Sequence, residues 1–270
     1  MGYATLDAAL AFPKNVPPMR QHIVITDTVK SDANFLIHHF VGNQLKGDRH
    51  VVLVGMAQIF NHYFLISRKL GINLQSYKQS GRFCFIDGLT HLTSYTDGTP
   101  YPPARAPTSP ADTLNGSKIP QNACLRTFYD VIKRHVTDKQ HPLLIIDDAS
   151  IFMLSGFGIG PVSMFINKLR VLMESVDGTL MTIIHADEEG TEDPEQDAFV
   201  KSVLSTAHLV LQVQALGSGL ARDVHGQLSI IHGPKCLPQA ANQIIPQSLH
   251  YRILDNNAHF FAKGISQGVL

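Results

Sequence analysis

The sequence predicts an α/β protein, a mostly parallel sheet flanked by helices that ends in antiparallel hairpins, and a few observations carry this reading. Leu143 to Asp148 (LLIIDD) sets an unbroken apolar run after His141-Pro142 and closes it with two carboxylates. A run of that kind reads as a strand buried on both faces, the form found in parallel sheets covered by helices. Similar runs elsewhere alternate with helical stripes, whereas beyond residue 207 the strands follow one another directly.

Taken in order, residues 1–21 hold Pro13, Pro17 and Pro18 and read as an arm lying on the domain, with Leu6, Leu10 and Phe12 available for docking. His22 to Thr26 is the first buried strand. A polar turn follows, in which Ser31 or Asp32 can cap the next helix by accepting its free N–H groups. In that helix Ile37, Val41 and Leu45 line one face, and Gly47 ends it. Val51 to Gly55 is the second strand, and Phe60, Tyr63, Phe64 and Leu70 stripe the second helix up to Gly71. Phe83 to Asp87 is the third strand.

Residues 93–122 break the pattern, with six prolines among Ser, Thr, Asp and Gly. So few aliphatic groups cannot offset the entropy of ordering, which predicts a mobile surface insertion. Leu125, Phe128, Ile132 and Val136 then lead to the LLIIDD strand. Val162, Phe165, Ile166, Leu169 and Met173 mark the next helix, with Pro161 in its first turn. Leu180 to Ile184 is the fifth strand, ending at His185-Ala186-Asp187. The acidic stretch from Asp187 to Asp197 sits where a helix N-terminus favours negative charge. Residues 207–264 read as antiparallel hairpins, with turns at Asp223-Val224-His225-Gly226 and Asp255-Asn256-Asn257. The whole chain, 1–270, is expected to form a single domain.

Lys+Arg and Asp+Glu both number 22, so the formal net charge is zero. That excludes gripping nucleic acid by bulk charge, which needs clustered Lys and Arg. Cys84, Cys124 and Cys236 form no CxxC pair, so neither a zinc site nor a disulfide framework is expected. No apolar run approaches the ~18 residues of a membrane span, and the N-terminus lacks the pattern of a signal peptide. A soluble intracellular protein is the expectation.

This layout is that of a RecA-like core, in which an acidic residue closing an apolar strand holds magnesium. Asp147 and Asp148 stand at that position, although Asp-Asp-Ala-Ser is also ordinary turn chemistry. The phosphate cradle, G-x-x-x-x-G-K-[ST], needs glycines so that backbone N–H groups can surround an anion. Aligning Lys30-Ser31 on that motif puts Val24 and Val29 where the glycines belong, and Asp27 and Asp32 add negative charge there. The cradle is lost, and Lys30, Ser31, Asp147 and Asp148 are at most remnants of a nucleotide site. Two enzymatic readings stay open beside this: a degenerate-loop RecA-type ATPase carried by Lys30, Ser31 and Asp147, and a small-molecule enzyme polarising water with His185 and Asp187. His38-His39 are helix neighbours that do not share a face, so one is expected to pack and the other to be exposed.

Several stretches together resemble one family, the sixth subunit of Elongator: NFLIHHF (34–40), FNHYFLISRKLG (60–71), IIDDAS (145–150), RDVHGQL (222–228), and FFAKG (260–264) with the terminal Val269-Leu270. The arm and the 93–122 insertion lie outside these motifs. The resemblance implies a RecA-like fold without its phosphate loop, no catalytic residue, no cofactor and no metal. It implies as partners the fourth and fifth Elongator subunits, joined in a heterohexameric ring, the remaining Elongator core, and tRNA bound through the ring during wobble-uridine C5 modification. Lys168, Arg170, Arg222 and Lys263 are the charges expected at an interface or facing RNA.

Overall fold

The structure is a computed structural model, and it describes residues 3–89, 117–118, 125–186, 193–217, 219, 221–238 and 243–263. The insertion expected at 93–122 lies outside these residues apart from 117–118, as do Asp187 and the terminal motif Val269-Leu270.

After α1 (Ala4–Leu10) and a short 3₁₀ turn at Pro13–Asn15, the chain runs β1 (His22–Asp27), α2 (Asn34–Lys46), β2 (Val51–Gly55), α3 (Phe60–Lys69), α4 (Leu74–Gln79), β3 (Phe83–Asp87) and β4 (Ser117–Lys118). It continues through α5 (Leu125–Val136), β5 (Leu143–Asp147), α6 (Ser150–Leu154), α7 (Ile159–Ser175), β6 (Thr179–His185), α8 (Pro194–Leu204), β7 (Leu209–Gln214), β8 (Gly226–His232), β9 (Gln247–Leu254) and β10 (Asn257–Ala262). The strands form one sheet in the order β10-β9-β8-β7-β1-β6-β5-β2-β3-β4. Pairing is parallel from β7 to β4 and antiparallel among β7, β8, β9 and β10. This is a RecA-like arrangement.

The continuous apolar runs have a direct cause. Side chains alternate across a strand, and in β5 Leu143 and Ile145 enter the core beneath α1, α2 and α3, while Leu144 and Ile146 enter the core beneath α5, α6, α7 and α8. Ile23, Met181 and Ile183 share the first core, and Val24, Leu180 and Ile184 the second. A sheet covered on both faces favours apolar side chains throughout these strands, and among the buried polar exceptions His22 of β1 and Thr182 of β6 bond to each other at 2.9 Å.

In the N-terminal segment Leu6, Leu10 and Phe12 are all buried. Its packing corrects the expectation for the histidine pair. Both His38 and His39 are 2% exposed. His38 turns to α3, where Nδ1 lies 3.2 Å from the Ser67 hydroxyl. His39 turns the other way and stacks on Tyr3, whose backbone N–H donates to His39 Nδ1 at 3.1 Å. An arm laid over α2 leaves that helix no solvent face, so neighbours on opposite sides are both buried. The capping expectation is corrected: the N-cap is Ala33, which carries no side-chain cap, and Asp32 Oδ1 accepts the Asn34 N–H at 2.6 Å from the residue before it. Among the described residues no helix is long and apolar enough to cross a membrane.

Candidate functional site

Parallel strands deliver their carboxyl ends to one edge, and three adjacent strands bring charge there. Asp27 closes β1, Asp147 and Asp148 end β5, and His185 closes β6, which lies between the other two. The His185 imidazole sits between two carboxylates: Nδ1 donates to Asp27 Oδ1, and Nε2 stands 2.8 Å from Asp148 Oδ2. That second contact is an ion pair rather than an aligned hydrogen bond, and it supplies the countercharge for a shielded oxygen. Asp27 and Asp148 are 2% and 1% exposed. Contact with Asp148 and then Asp27 outweighs burial and raises the His185 pKa to about 11. The edge therefore carries an imidazolium that ties three strands together at neutral pH. The clamp is held in turn by the backbone, since Ser150 N–H donates to Asp148 Oδ1 at 2.6 Å and His185 N–H to the Ser150 hydroxyl at 2.8 Å.

Asp147 points away from this clamp. Its Oδ2 accepts the Tyr63 hydroxyl from α3, and burial lifts its pKa to about 7 against the effect of that hydrogen bond, with Asp148 adding to the rise. Burial and Asp147 push the Tyr63 phenol well above its ordinary value. As pH climbs from about 4 to about 7 the unfolded chain ionises at this position while the folded one does not, so Asp147 costs stability over that window. Asp147→Asn, which still accepts from Tyr63, is expected to differ little from the wild type in melting temperature at pH 4 and to exceed it by a margin that grows up to about pH 7 and then holds.

At the β1–α2 turn, Asp27 Oδ2 accepts the N–H of Ala33 at 2.9 Å. The position at a helix N-terminus that would attract an anion is filled by a carboxylate of the chain itself. Val29 and Lys30 are exposed, and the Ser31 hydroxyl turns into the hairpin region to meet the Tyr251 hydroxyl at 2.7 Å. Thus Ser31, Asp147 and Asp148 do share an edge, but each is bonded elsewhere and no glycine opens the turn. Asp27 and Tyr63 complete the site. Asp27 carried the same signal as Asp147, a carboxylate closing a buried strand, whereas Tyr63 gave no signal beyond its place in an apolar stripe. His185 is committed to Asp27 and Asp148, while Asp187, its expected partner, lies outside the described residues. Among the described residues no group of three or more His, Cys, Asp or Glu is placed to hold a metal ion.

The family model described as Elongation complex protein 6 matches residues 3–255. This chain belongs to that family. The Elongation complex protein 6 match takes in the arm and the insertion that the short motifs leave out. Curated relatives are named Elongator complex protein 6: the Xenopus laevis protein is 32% identical over 248 residues, 89% of this chain and 89% of that one. The Rattus norvegicus protein is 31% identical over 249 residues, 89% of this chain and 90% of that one. Among solved structures, an uncharacterized protein from Pyrococcus horikoshii in complex with an unknown peptide superimposes with a TM-score of 0.62 at 12% identity, covering 98% of this chain and all of that one. A KaiC-like protein from Pyrococcus horikoshii OT3 gives 0.55 at 13%, covering 90% and 91%. These two likenesses concern the fold alone.

In this Elongation complex protein 6 member the four charges chosen from sequence do not converge. Arg222 lies in the β7–β8 connection, on the same edge as His185, because β7 runs parallel to β1. Lys263 follows β10, which runs back to the opposite edge. Lys168 is exposed on α7, and Arg170 pairs with Glu174 one turn along that helix.

Proposed function

We propose that this chain is a non-catalytic structural subunit of the Elongator complex. In this reading it is one RecA-like domain of a heterohexameric ring shared with the fourth and fifth subunits, docked to the remaining core, and it supports tRNA binding during wobble-uridine C5 modification in the cytoplasm and nucleus. The observation that carries the reading is Asp27 on the N-terminus of α2. A triphosphate arriving there would meet a buried carboxylate already bonded to the helix, with Asp147 and Asp148 behind it, and His185 already neutralised by its two partners. Three carboxylates there face one imidazolium, and a further negative charge brought beside such an excess in a low-dielectric setting is disfavoured. The remaining charged edge, with Lys30 and Arg222 exposed, suits contact with a neighbouring domain, because a heterologous ring needs two different faces on each subunit.

A native-state ligand raises stability by mass action. Millimolar Mg-ATP is therefore expected to leave the melting temperature of the isolated chain unchanged, and Lys30→Ala to make no difference. A dose-dependent rise that Lys30→Ala abolishes would instead establish the chain as a nucleotide-binding protein in its own right. Co-purification with the fourth and fifth subunits tests ring membership itself.

A further inference from the structure

At the edge of the sheet opposite the His185 clamp, β2 and β3 begin beside the end of α5 and form a concave pocket. Its volume is about 340 Å³, and its apolar floor includes Val52 and Phe85. Around it stand His50, Lys78, Arg82, His135 and Lys139, drawn from separate segments of the chain, and no carboxylate is among the described residues that line it. All five are half-buried, whereas Lys30, Lys46, Lys69 and Lys168 are exposed like ordinary surface lysines. In a chain of zero net charge, Lys78, Arg82 and Lys139 are a local excess of positive charge rather than a general basicity, with the two imidazoles beside them held toward the neutral form. Concave low-dielectric walls lined by one sign of charge focus the field inside them.

The groups also act on one another. Burial first, then the charge of Lys139 and next that of Arg82, hold His50 below its ordinary pKa, with a backbone contact to Gln140 and the charge of Asp48 opposing them. His135 is lowered by burial, then by Arg134 and Lys139. Asp48 pairs with Arg82 from outside the lining, with its own side chain 84% exposed. Arg82 is held over the Tyr77 ring at 4.9 Å, and Lys78 over Phe60 at 5.3 Å, so both cations are positioned by packing. The Nδ1 of His50 is shielded from solvent and has no hydrogen-bond partner among the described residues.

We infer that this pocket binds a phosphate group. Phosphate fits better than a carboxylate because it offers several acceptor oxygens and dense charge to a set holding both a fork-shaped guanidinium and point-charge ammonium groups. The group comes either from a free phosphate compound or from a nucleic-acid backbone. The inference does not depend on ring membership, since every residue of the pocket lies within this chain.

The test titrates the purified full chain with inorganic pyrophosphate, by calorimetry, and with a fluorescent single-stranded RNA of about a dozen nucleotides, by anisotropy at low salt. Lys139→Glu is compared with Lys69→Glu, a matched charge reversal at an exposed lysine that does not line the pocket. The expected result is at least tenfold weaker binding of one or both ligands in Lys139→Glu and less than twofold change in Lys69→Glu, with both variants melting within about 2 °C of the wild type. Loss of pyrophosphate binding alone identifies a free phosphate compound, and loss that includes RNA identifies a backbone phosphate. Should Lys139→Glu misfold, Lys139→Ala and Arg82→Gln replace it with a threefold threshold. If neither ligand distinguishes the pocket variants from Lys69→Glu, the site is overturned.

Discussion

His185→Ala lowers the melting temperature by about 6–12 °C, as read by a thermal melt followed by circular dichroism at pH 7. The substitution removes the cation between Asp27 and Asp148 and leaves two buried carboxylates without it. Removing one partner of a fully buried pair costs about 3–5 kcal/mol, and the lower end applies because the imidazole is itself partly exposed. For a chain of this size each kcal/mol moves the midpoint by about 2–4 °C. Combining His185→Ala with Asp27→Asn and Asp148→Asn is expected to recover much of the loss, since no unpaired charge is then buried. The pH dependence is fixed in sign. The His185 pKa is raised in the folded state from 6.5 to about 11, so its stabilisation is complete below pH 6.5 and is lost as pH climbs toward 11. The wild type should therefore lose stability across that window more steeply than His185→Ala. A variant that melts within 2 °C of the wild type, with the same alkaline slope, would show that the clamp contributes nothing.

Leu6→Ala and Leu10→Ala each lower the stability by about 2–5 kcal/mol, the usual cost of removing a fully buried leucine side chain. These residues are 0% and 1% exposed, and the arm that bears them is fixed at several points. The Tyr3 hydroxyl donates to the Phe35 carbonyl at 3.1 Å, and Asn43 donates to Asp7 at 2.8 Å. Tyr3 also packs on Phe260 of β10, joining the start of the chain to the last strand of the sheet. In urea denaturation both variants should unfold at lower denaturant with an unchanged slope, the mark of lost stability without a change in the surface exposed. Variants unfolding at the wild-type midpoint would mean that the arm is an appendage rather than part of the core.

The strands were legible in the sequence because a doubly covered sheet forces unbroken apolar runs, and Leu143 to Ile146 need no knowledge of their neighbours to be read. The hairpins were legible from turn residues and from the lack of helical stripes between strands. The short helices were not. Leu74–Gln79 has no apolar periodicity, and Ser150–Leu154 follows two aspartates that read equally well as a turn. At the site, the loss of the phosphate cradle was visible as missing glycines, but its replacement was not. His185 and Asp27 stand 158 positions apart and meet only because β1 and β6 pair in register, with Asp27 opposite His185. The burial of His39 likewise depends on Tyr3, 36 residues away, and no local pattern encodes that contact.

The central claim is that a strand-end edge closed to nucleotide by its own carboxylates serves assembly. It is tested most directly by the mass in solution of this 29.7 kDa chain, measured alone and after co-expression with the fourth and fifth Elongator subunits. The account predicts a co-purifying complex with the mass of a heterohexamer, which loses this chain when the hairpins from β7 to β10 are truncated. A chain that remains a stable monomer in the presence of both partners would contradict it.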